Sequence, residues 1–156
     1  MIIQMGKLQN LLIEQSSKTP QIDLNQLNGE LILSGKSIPE NSAKVYEPVF
    51  KWVLDYVMHP RPITNLRINL EYFNTSSSLW LAKIFKVLAR INKPDYVLFI
   101  HLYIDIEDYD DIKEFGDLKE TFAFLSDLSS GTSVSIGIKL YGTDDDGIIK
   151  ETSIFI

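Results

Sequence analysis

The spacing of hydrophobic positions predicts alternating strands and helices along the chain. In residues 66–72 and 134–140, apolar side chains occupy every second position, a pattern typical of a strand with one buried face. Residues 96–104 are almost all apolar, which predicts a central strand covered on both faces. Asn28 and Gly29 form a turn signal between two extended runs, so a β-hairpin is predicted there. The remaining predicted strands are Leu8–Glu14, Gln21–Leu24, Glu30–Gly35 and, after a turn at Gly142–Gly147, Ile148–Ile156.

Apolar residues at helical spacing predict three helices between these strands. The first begins at Asn41 or Ser42, either of which can cap the free amide groups of the helix start. The second helix follows the polar segment 74–78. The third is predicted over Ile112–Leu125, after an acidic loop at residues 105–111.

This order of elements predicts the fold class. Strands come first, and strands and helices then alternate, which favours an α/β fold with α+β as the alternative. We expect a single mixed β-sheet with helices packed on it. Because the breaks between elements are short, residues 1–156 are expected to form one domain.

Composition and charge narrow the classes of function. None of the 156 residues is a cysteine, so disulfides, thiolate nucleophiles and cysteine-bound zinc are excluded, and the chain suits a reducing compartment. The net charge of -6 repels phosphate backbones and anionic lipid head groups, so neither nucleic acid nor a membrane is expected as a partner. No apolar run approaches the ~20 residues of a membrane span, and the first residues do not resemble a signal peptide. The expected location is the cytoplasm.

Few residues are arranged for catalysis. His59 lies at a proline-rich helix end, and His101 lies inside an apolar strand, where a hydrogen-bonded sheet residue is expected rather than a general base. The acidic loop 105–111 offers oxygen ligands for a cation but lacks the glycine and final glutamate of a calcium loop. We therefore expect no metal, no cofactor and no enzymatic activity. A metal-dependent hydrolase or phosphatase that uses this loop stays as the alternative.

The most unusual stretch is the run of four hydroxyl residues Thr75–Ser78 at the start of the second helix. One such residue is enough to cap a helix. A helix N-terminus carries partial positive charge and unpaired amide groups, so it would stabilise a phosphate attached there. Phosphorylation adds a charge of about -1.5 to -2 at pH 7, which is large enough to change which partner binds. A plain cap with surface serines is the alternative.

Three segments resemble the SiaC family of bacterial regulatory phosphoproteins, which have a STAS-like α/β character. They are Lys18–Pro20 (KTP), Gly35–Asn41 (GKSIPEN) and Leu70–Ser78 (LEYFNTSSS). The second and third are long and specific, and the acidic loop before the third helix fits as well. The resemblance covers roughly residues 8–125, and the C-terminal segment Gly142–Ile156 lies outside it.

The resemblance implies a role in a bacterial signalling switch, in cyclic-di-GMP signalling and biofilm formation. Thr75 matches the phospho-acceptor threonine of the family motif. The implied partners are a cognate kinase with a histidine-kinase-like fold, a PP2C-type phosphatase and a diguanylate cyclase, which the unphosphorylated protein binds and activates. The expected residues of the surrounding recognition surface are Asn74, Ser76, Ser77, Pro39, Glu40 and Asn41. An adaptor that is never modified is the second alternative, and the sequence does not decide between the two.

Overall fold

Seven strands form one mixed sheet whose spatial order follows the order of the chain. The computed structural model describes residues 8–115 and 134–155. The strands are β1 Leu11–Ile13, β2 Gln21–Asn25, β3 Glu30–Ser37, β4 Ile63–Phe73, β5 Val97–Asp105, β6 Ser135–Thr143 and β7 Ile149–Phe155. The helices of the described part are α1 Ser42–Tyr56, α2 Thr75–Leu88 and α3 Ile106–Phe115. Strands β3 to β6 are parallel, and antiparallel strands flank them on both sides.

These observations confirm the predicted fold class, the mixed sheet, the hairpin at Asn28 and Gly29 and the turn before the last strand. β2 pairs antiparallel with β3 across the predicted turn at Asn28 and Gly29, and β6 pairs antiparallel with β7. β1 is shorter than the predicted Leu8–Glu14. No helix of the described residues is long and apolar enough to cross a membrane.

The helices cover one face of the sheet. Crossover connections between parallel strands are right-handed, so strands that follow in sequence order place their helices on the same side. In β5, Leu98, Ile100 and Leu102 are fully buried and belong to a single core cluster with residues of all three helices. Between α1 and α2, the Trp80 ring stacks on Tyr46 with a centroid distance of 6.4 Å. Burial of this apolar face is the main contribution to stability, at about 25 cal/mol per Å².

The opposite face, here called the open face, is covered by none of the described helices. The prediction that strand 96–104 is covered on both faces is therefore wrong for the open face, because Phe99 is 37% exposed and Tyr103 is only half-buried. The Phe99 ring lies across Gly137 of the neighbouring strand, where a Cβ atom would come within 2.8 Å of it. The Phe99 ring is thus packed against its neighbour in the sheet, and within residues 8–115 and 134–155 no helix lies over it.

The predicted acidic loop is also wrong, since residues 106–111 form the first half of α3. The Asp105 carboxylate accepts a hydrogen bond from the Glu107 amide at 3.0 Å, and acidic side chains in the first turn suit the positive end of a helix. Tyr109 and Ile112, three residues apart, are buried in the core and give the helix its apolar side. The helix predicted to begin at Ile112 therefore begins at Ile106, and residues 116–125 of that prediction lie outside the described residues.

Candidate functional site

The carboxyl ends of two parallel strands bring the three sequence motifs together. Ser37 at the end of β3 is paired in register with Phe73 at the end of β4. Gly35 has a φ of 99°, and the register shifts by one residue between Gly35 and Lys36, a bulge that needs glycine at this position. The Ile38 amide donates to the Lys18 carbonyl at 2.9 Å, which joins the first motif to the second. The motifs therefore form one edge of the sheet.

A buried group of polar side chains, here called the hydroxyl cluster, holds this edge together. It consists of Ser37, Tyr46, Asn74 and Ser77. Ser37 Oγ is hydrogen-bonded to the Tyr46 hydroxyl and donates to Ser77 Oγ at 2.8 Å. Ser77 Oγ lies 2.9 Å from the Ser37 carbonyl and 2.7 Å from Asn74 Oδ1. Burial raises the pKa of Tyr46, against a lowering by hydrogen bonds with Ser37 and Ser77, so its hydroxyl stays protonated and the cluster is uncharged.

The same cluster fixes the start of α2. Asn74 is the N-cap of the helix, and its Oδ1 atom accepts from the Ser77 amide at 3.0 Å. The Asn74 amide donates to the Ser37 carbonyl at 3.0 Å, and its Nδ2 atom lies 3.4 Å from the Pro39 carbonyl. Ser42 Oγ, at the start of α1, is hydrogen-bonded to Ser76 Oγ at 2.5 Å. The first turns of α1 and α2 are thus connected to each other and to both strand ends.

Of the four hydroxyl residues of this turn, Thr75 is the one that is exposed and whose hydroxyl forms no hydrogen bond within the described part of the chain. It is the first residue of α2 and is exposed. Among the described residues its hydroxyl has no hydrogen-bond partner, whereas Ser76 and Ser77 each have two or more. Ser77 is fully buried, and Ser78 is half-buried. Exposure and hydrogen bonding therefore rank Thr75 first as an acceptor of a chemical group. The first turn of α2 contains no acidic side chain.

The expected recognition residues fall into two groups. Glu40, Asn41 and Ser76 are exposed beside Thr75 and can contact a partner. Pro39 and Ser77 are buried, and Asn74 is half-buried and used as the helix cap. Ser77 therefore supports the turn from within, through its hydrogen bonds with Ser37 and Asn74.

The acidic segment offers no metal centre in the described part of the chain. Across residues 8–115 and 134–155, no three histidine or acidic side chains come close enough to hold a metal ion.

A second polar group, here called the open-face network, consists of Glu30, Asn65, Arg67, His101, Tyr103 and Tyr141. Of these residues, the sequence predicted only that His101 is hydrogen-bonded. Glu30 Oε1 and Arg67 Nε are 2.7 Å apart, and Arg67 Nη1 donates to the Tyr103 hydroxyl at 2.7 Å. His101 Nδ1 lies 2.6 Å from the Tyr141 hydroxyl, while the rings of Tyr103 and Tyr141 stack with centroids 4.3 Å apart. These residues come from four neighbouring strands, and only the sheet register shows that they meet.

The charges of this network are set by its surroundings. Burial, together with the nearby Arg67 charge, lowers the pKa of His101 to about 4. The neutral ring fits its partners, because Nε2 donates to Asn65 Oδ1 at 2.7 Å and Nδ1 accepts from Tyr141. Burial also acts to lower the pKa of Arg67, but the hydrogen bonds with Glu30 and Tyr103 outweigh it and raise that pKa. His101 is therefore a satisfied sheet residue, as predicted, and Arg67 is a compensated charge.

The fold and the site together define a small α/β protein that presents one free threonine hydroxyl at the start of a firmly held helix. A model of the SiaC family of regulatory phosphoproteins matches residues 13–128. The chain therefore belongs to the SiaC family of regulatory phosphoproteins. No curated protein matches it in sequence.

Two solved structures show the same fold. Apo-SiaC from Pseudomonas aeruginosa is 24% identical, with a TM-score of 0.65 over 84% of this chain and 98% of that one. A chain in the crystal structure of the diguanylate cyclase SiaD in complex with its activator SiaC, from the same organism, is 24% identical, with a TM-score of 0.66 over 84% of this chain and 99% of that one. At this identity the likeness shows that the fold is shared.

Proposed function

We propose that this chain is a binding protein switched by phosphorylation of Thr75, and that its target is a diguanylate cyclase. The observation that carries the proposal is that Thr75 is exposed and without a hydrogen-bond partner among the described residues, on a turn that the hydroxyl cluster holds in place. Two findings support it. The family is one of regulatory phosphoproteins, and a structural relative is the activator in a complex with the cyclase SiaD.

The switch follows from the charge that phosphate brings. An unmodified Thr75 is neutral, and the first turn of α2 carries no acidic side chain. Phosphate adds a charge of about -1.5 to -2, which a bound partner surface would have to desolvate or oppose. We therefore assign cyclase binding and activation to the unmodified form and release to the phosphorylated form. A kinase with a histidine-kinase-like fold adds the phosphate and a PP2C-type phosphatase removes it.

Thr75→Ala, with Ser78→Ala as a matched control from the same turn, tests the acceptor. We expect the wild type and Ser78→Ala to gain one phosphate when incubated with the cognate kinase and ATP, and Thr75→Ala to gain none. Peptide-resolved mass spectrometry gives the position. Thr75→Ala should also stay active toward the cyclase in the presence of the kinase, as measured by cyclic-di-GMP synthesis, whereas the wild type should lose this activity.

The same measurement distinguishes the phosphorylation switch from the alternative, an adaptor that is never modified. If the kinase modifies no residue and both proteins bind the cyclase equally, the chain is an unmodified adaptor. Phosphate on Ser76 or Ser78 in place of Thr75 would contradict the ranking by exposure and hydrogen bonding. Thr75→Ser keeps a hydroxyl at this position and should restore phosphorylation, which excludes a folding defect as the cause of the loss.

A further inference from the structure

A cavity of about 410 Å³ lies beside the proposed switch, between the first two sequence motifs. Its inner wall is aliphatic and includes Ile13, Ile22 and Val45, which come from β1, β2 and α1. This volume is in the range of about 300–1,000 Å³ that is typical of binding pockets in proteins. An aliphatic pocket of this size on the surface favours an apolar occupant.

The polar side chains of the lining are mostly engaged already. Thr19 Oγ1 is hydrogen-bonded to Ser16 Oγ at 2.6 Å, and Asn41 Oδ1 accepts from the Lys44 amide at 3.2 Å. The cavity therefore offers few free polar groups of the kind that orient a small metabolite. The surface that the cavity offers to a ligand is mainly aliphatic, and an apolar side chain can pack against it.

The rim is positively charged on a protein whose net charge is -6. It carries Lys18, Glu40 and Lys44. Lys18 Nζ and Glu40 Oε1 form an ion pair at 3.3 Å. Within the described residues the Lys44 ammonium group has no carboxylate partner, and its side chain is exposed. The charge that complements this rim is a carboxylate.

The cavity shares a wall with the site of the proposed switch. The segment Pro39–Asn41 lines the cavity, and the Pro39 carbonyl lies 3.4 Å from Nδ2 of Asn74, the residue before Thr75. The α1 turn that contributes Lys44 also contributes Ser42, which is bonded to Ser76. A partner seated in the cavity would therefore lie against the same surface as Thr75.

We propose that this cavity is the docking socket for the protein target: it receives an aliphatic side chain of the partner, and an acidic residue adjacent to it in the partner's chain faces Lys44. The inference rests on the proposed function, since it assumes a protein target at this surface. It adds the chemistry of the partner segment, namely an aliphatic residue next to aspartate or glutamate.

The test uses the full chain and two dipeptide probes, acetyl-Leu-Asp-amide and acetyl-Leu-Lys-amide. Titrated into the isotope-labelled protein and followed by NMR, the Leu-Asp probe should give saturable shifts at the backbone amides of Thr19, Glu40 and Lys44. We expect the Leu-Lys probe to bind at least several-fold more weakly. Lys44→Glu should reverse this preference, and Val45→Phe, which fills the cavity, should abolish both titrations.

Lys51→Glu is the matched control, because Lys51 is an exposed lysine on the same helix away from the cavity. It should bind the Leu-Asp probe as the wild type does. The proposal is overturned if neither probe shifts these amides, if the shifts lie elsewhere, or if Lys44→Glu and Lys51→Glu behave alike. Probe binding does not require phosphorylation, so its failure leaves the Thr75 assay intact, and failure of the Thr75 assay leaves the socket measurable.

Discussion

The hydroxyl cluster and the open-face network both contain polar side chains that are removed from water, but the first is uncharged and the second contains an ion pair. The hydroxyl cluster is neutral, and apart from Tyr46 its members have short side chains, with Ser37, Asn74 and Ser77 bonded to one another close to the backbone. The open-face network contains ions and rings, with Arg67 placed between Glu30 and Tyr103. A charge added to the network would lie beside the ion pair of Glu30 and Arg67, in which the two charges already compensate each other. A charge added at Thr75 would lie in a helix turn that contains no acidic side chain.

This difference indicates where regulation by charge is effective. A neutral, well-bonded frame keeps the turn of Thr75 fixed, so a phosphate there changes the surface potential without a competing ion in the same helix turn. In the open-face network an added charge would lie near both Arg67 and Glu30, whose opposite charges act on it in opposite directions, so we expect a smaller effect.

The largest effect on stability is expected from Ser77→Ala in the hydroxyl cluster. Ser77 is fully buried, and its loss takes one hydrogen-bond partner from Ser37 Oγ, which keeps its bond with Tyr46, and one donor from Asn74 Oδ1. The hydrogen bonds of the Ser77 hydroxyl are lost together, and their loss should cost about 1–3 kcal/mol in total. Urea denaturation should show this loss, while Ser78→Ala, half-buried in the same turn, should stay within about 0.5 kcal/mol of the wild type. Equal losses in both variants would show that the cluster has no special role.

The second effect is a dependence of stability on pH that arises from His101. The unfolded chain binds a proton on this residue below pH 6.5, whereas the folded protein binds it only near pH 4, so stability falls as the pH falls between these values. Between pH 7 and pH 5 the loss from this residue should be roughly 2 kcal/mol. The positive charges of Arg67 and Lys139 also lower the pKa of His101, whereas the carboxylate of Glu30 raises it.

Urea denaturation at both pH values measures this loss, and His101→Gln should remove most of it. His59→Gln, which replaces an exposed imidazole in the turn after α1, should retain it. If His101→Gln keeps the full pH dependence, the imidazole is not held neutral in the folded protein.

Sequence patterns predicted the elements that depend on local periodicity. The alternation in residues 66–72 and the stripe that includes Tyr46 gave β4 and α1, and the hydroxyl run located the turn at Thr75. For the segment 105–111 the high density of carboxylates predicts a loop, and the apolar pair Tyr109 and Ile112 is too short a pattern to indicate a helix. Only tertiary packing shows that these two residues are buried in the core.

The open-face network shows the limit of such reasoning. His101 was expected to be hydrogen-bonded, yet its partners Asn65 and Tyr141 are each 36 to 40 residues away along the chain. Only the pairing of β4 with β5 and of β5 with β6 brings them together, and a change of one residue in register would turn them to the other face. A single sequence contains no signal for that register, so the partners of His101 could not be predicted.

The smallest expected effect concerns the ion pair at the edge of the open-face network. Glu30 and Arg67 are 2.7 Å apart, but each side chain keeps 28% of its surface exposed, so water screens their attraction. Glu30→Gln should cost about 1 kcal/mol or less, because Arg67 keeps its hydrogen bond to Tyr103. The cost should shrink in about 1 M salt, where the Debye length is ~3 Å. Urea denaturation at low and high salt measures it, with Glu40→Gln in the more exposed pair with Lys18 as the control that should show almost no change. A cost above about 2 kcal/mol that salt leaves unchanged would mean that the pair acts as a buried one. The open-face network would then be as sensitive to a change of charge as the turn of Thr75 is proposed to be.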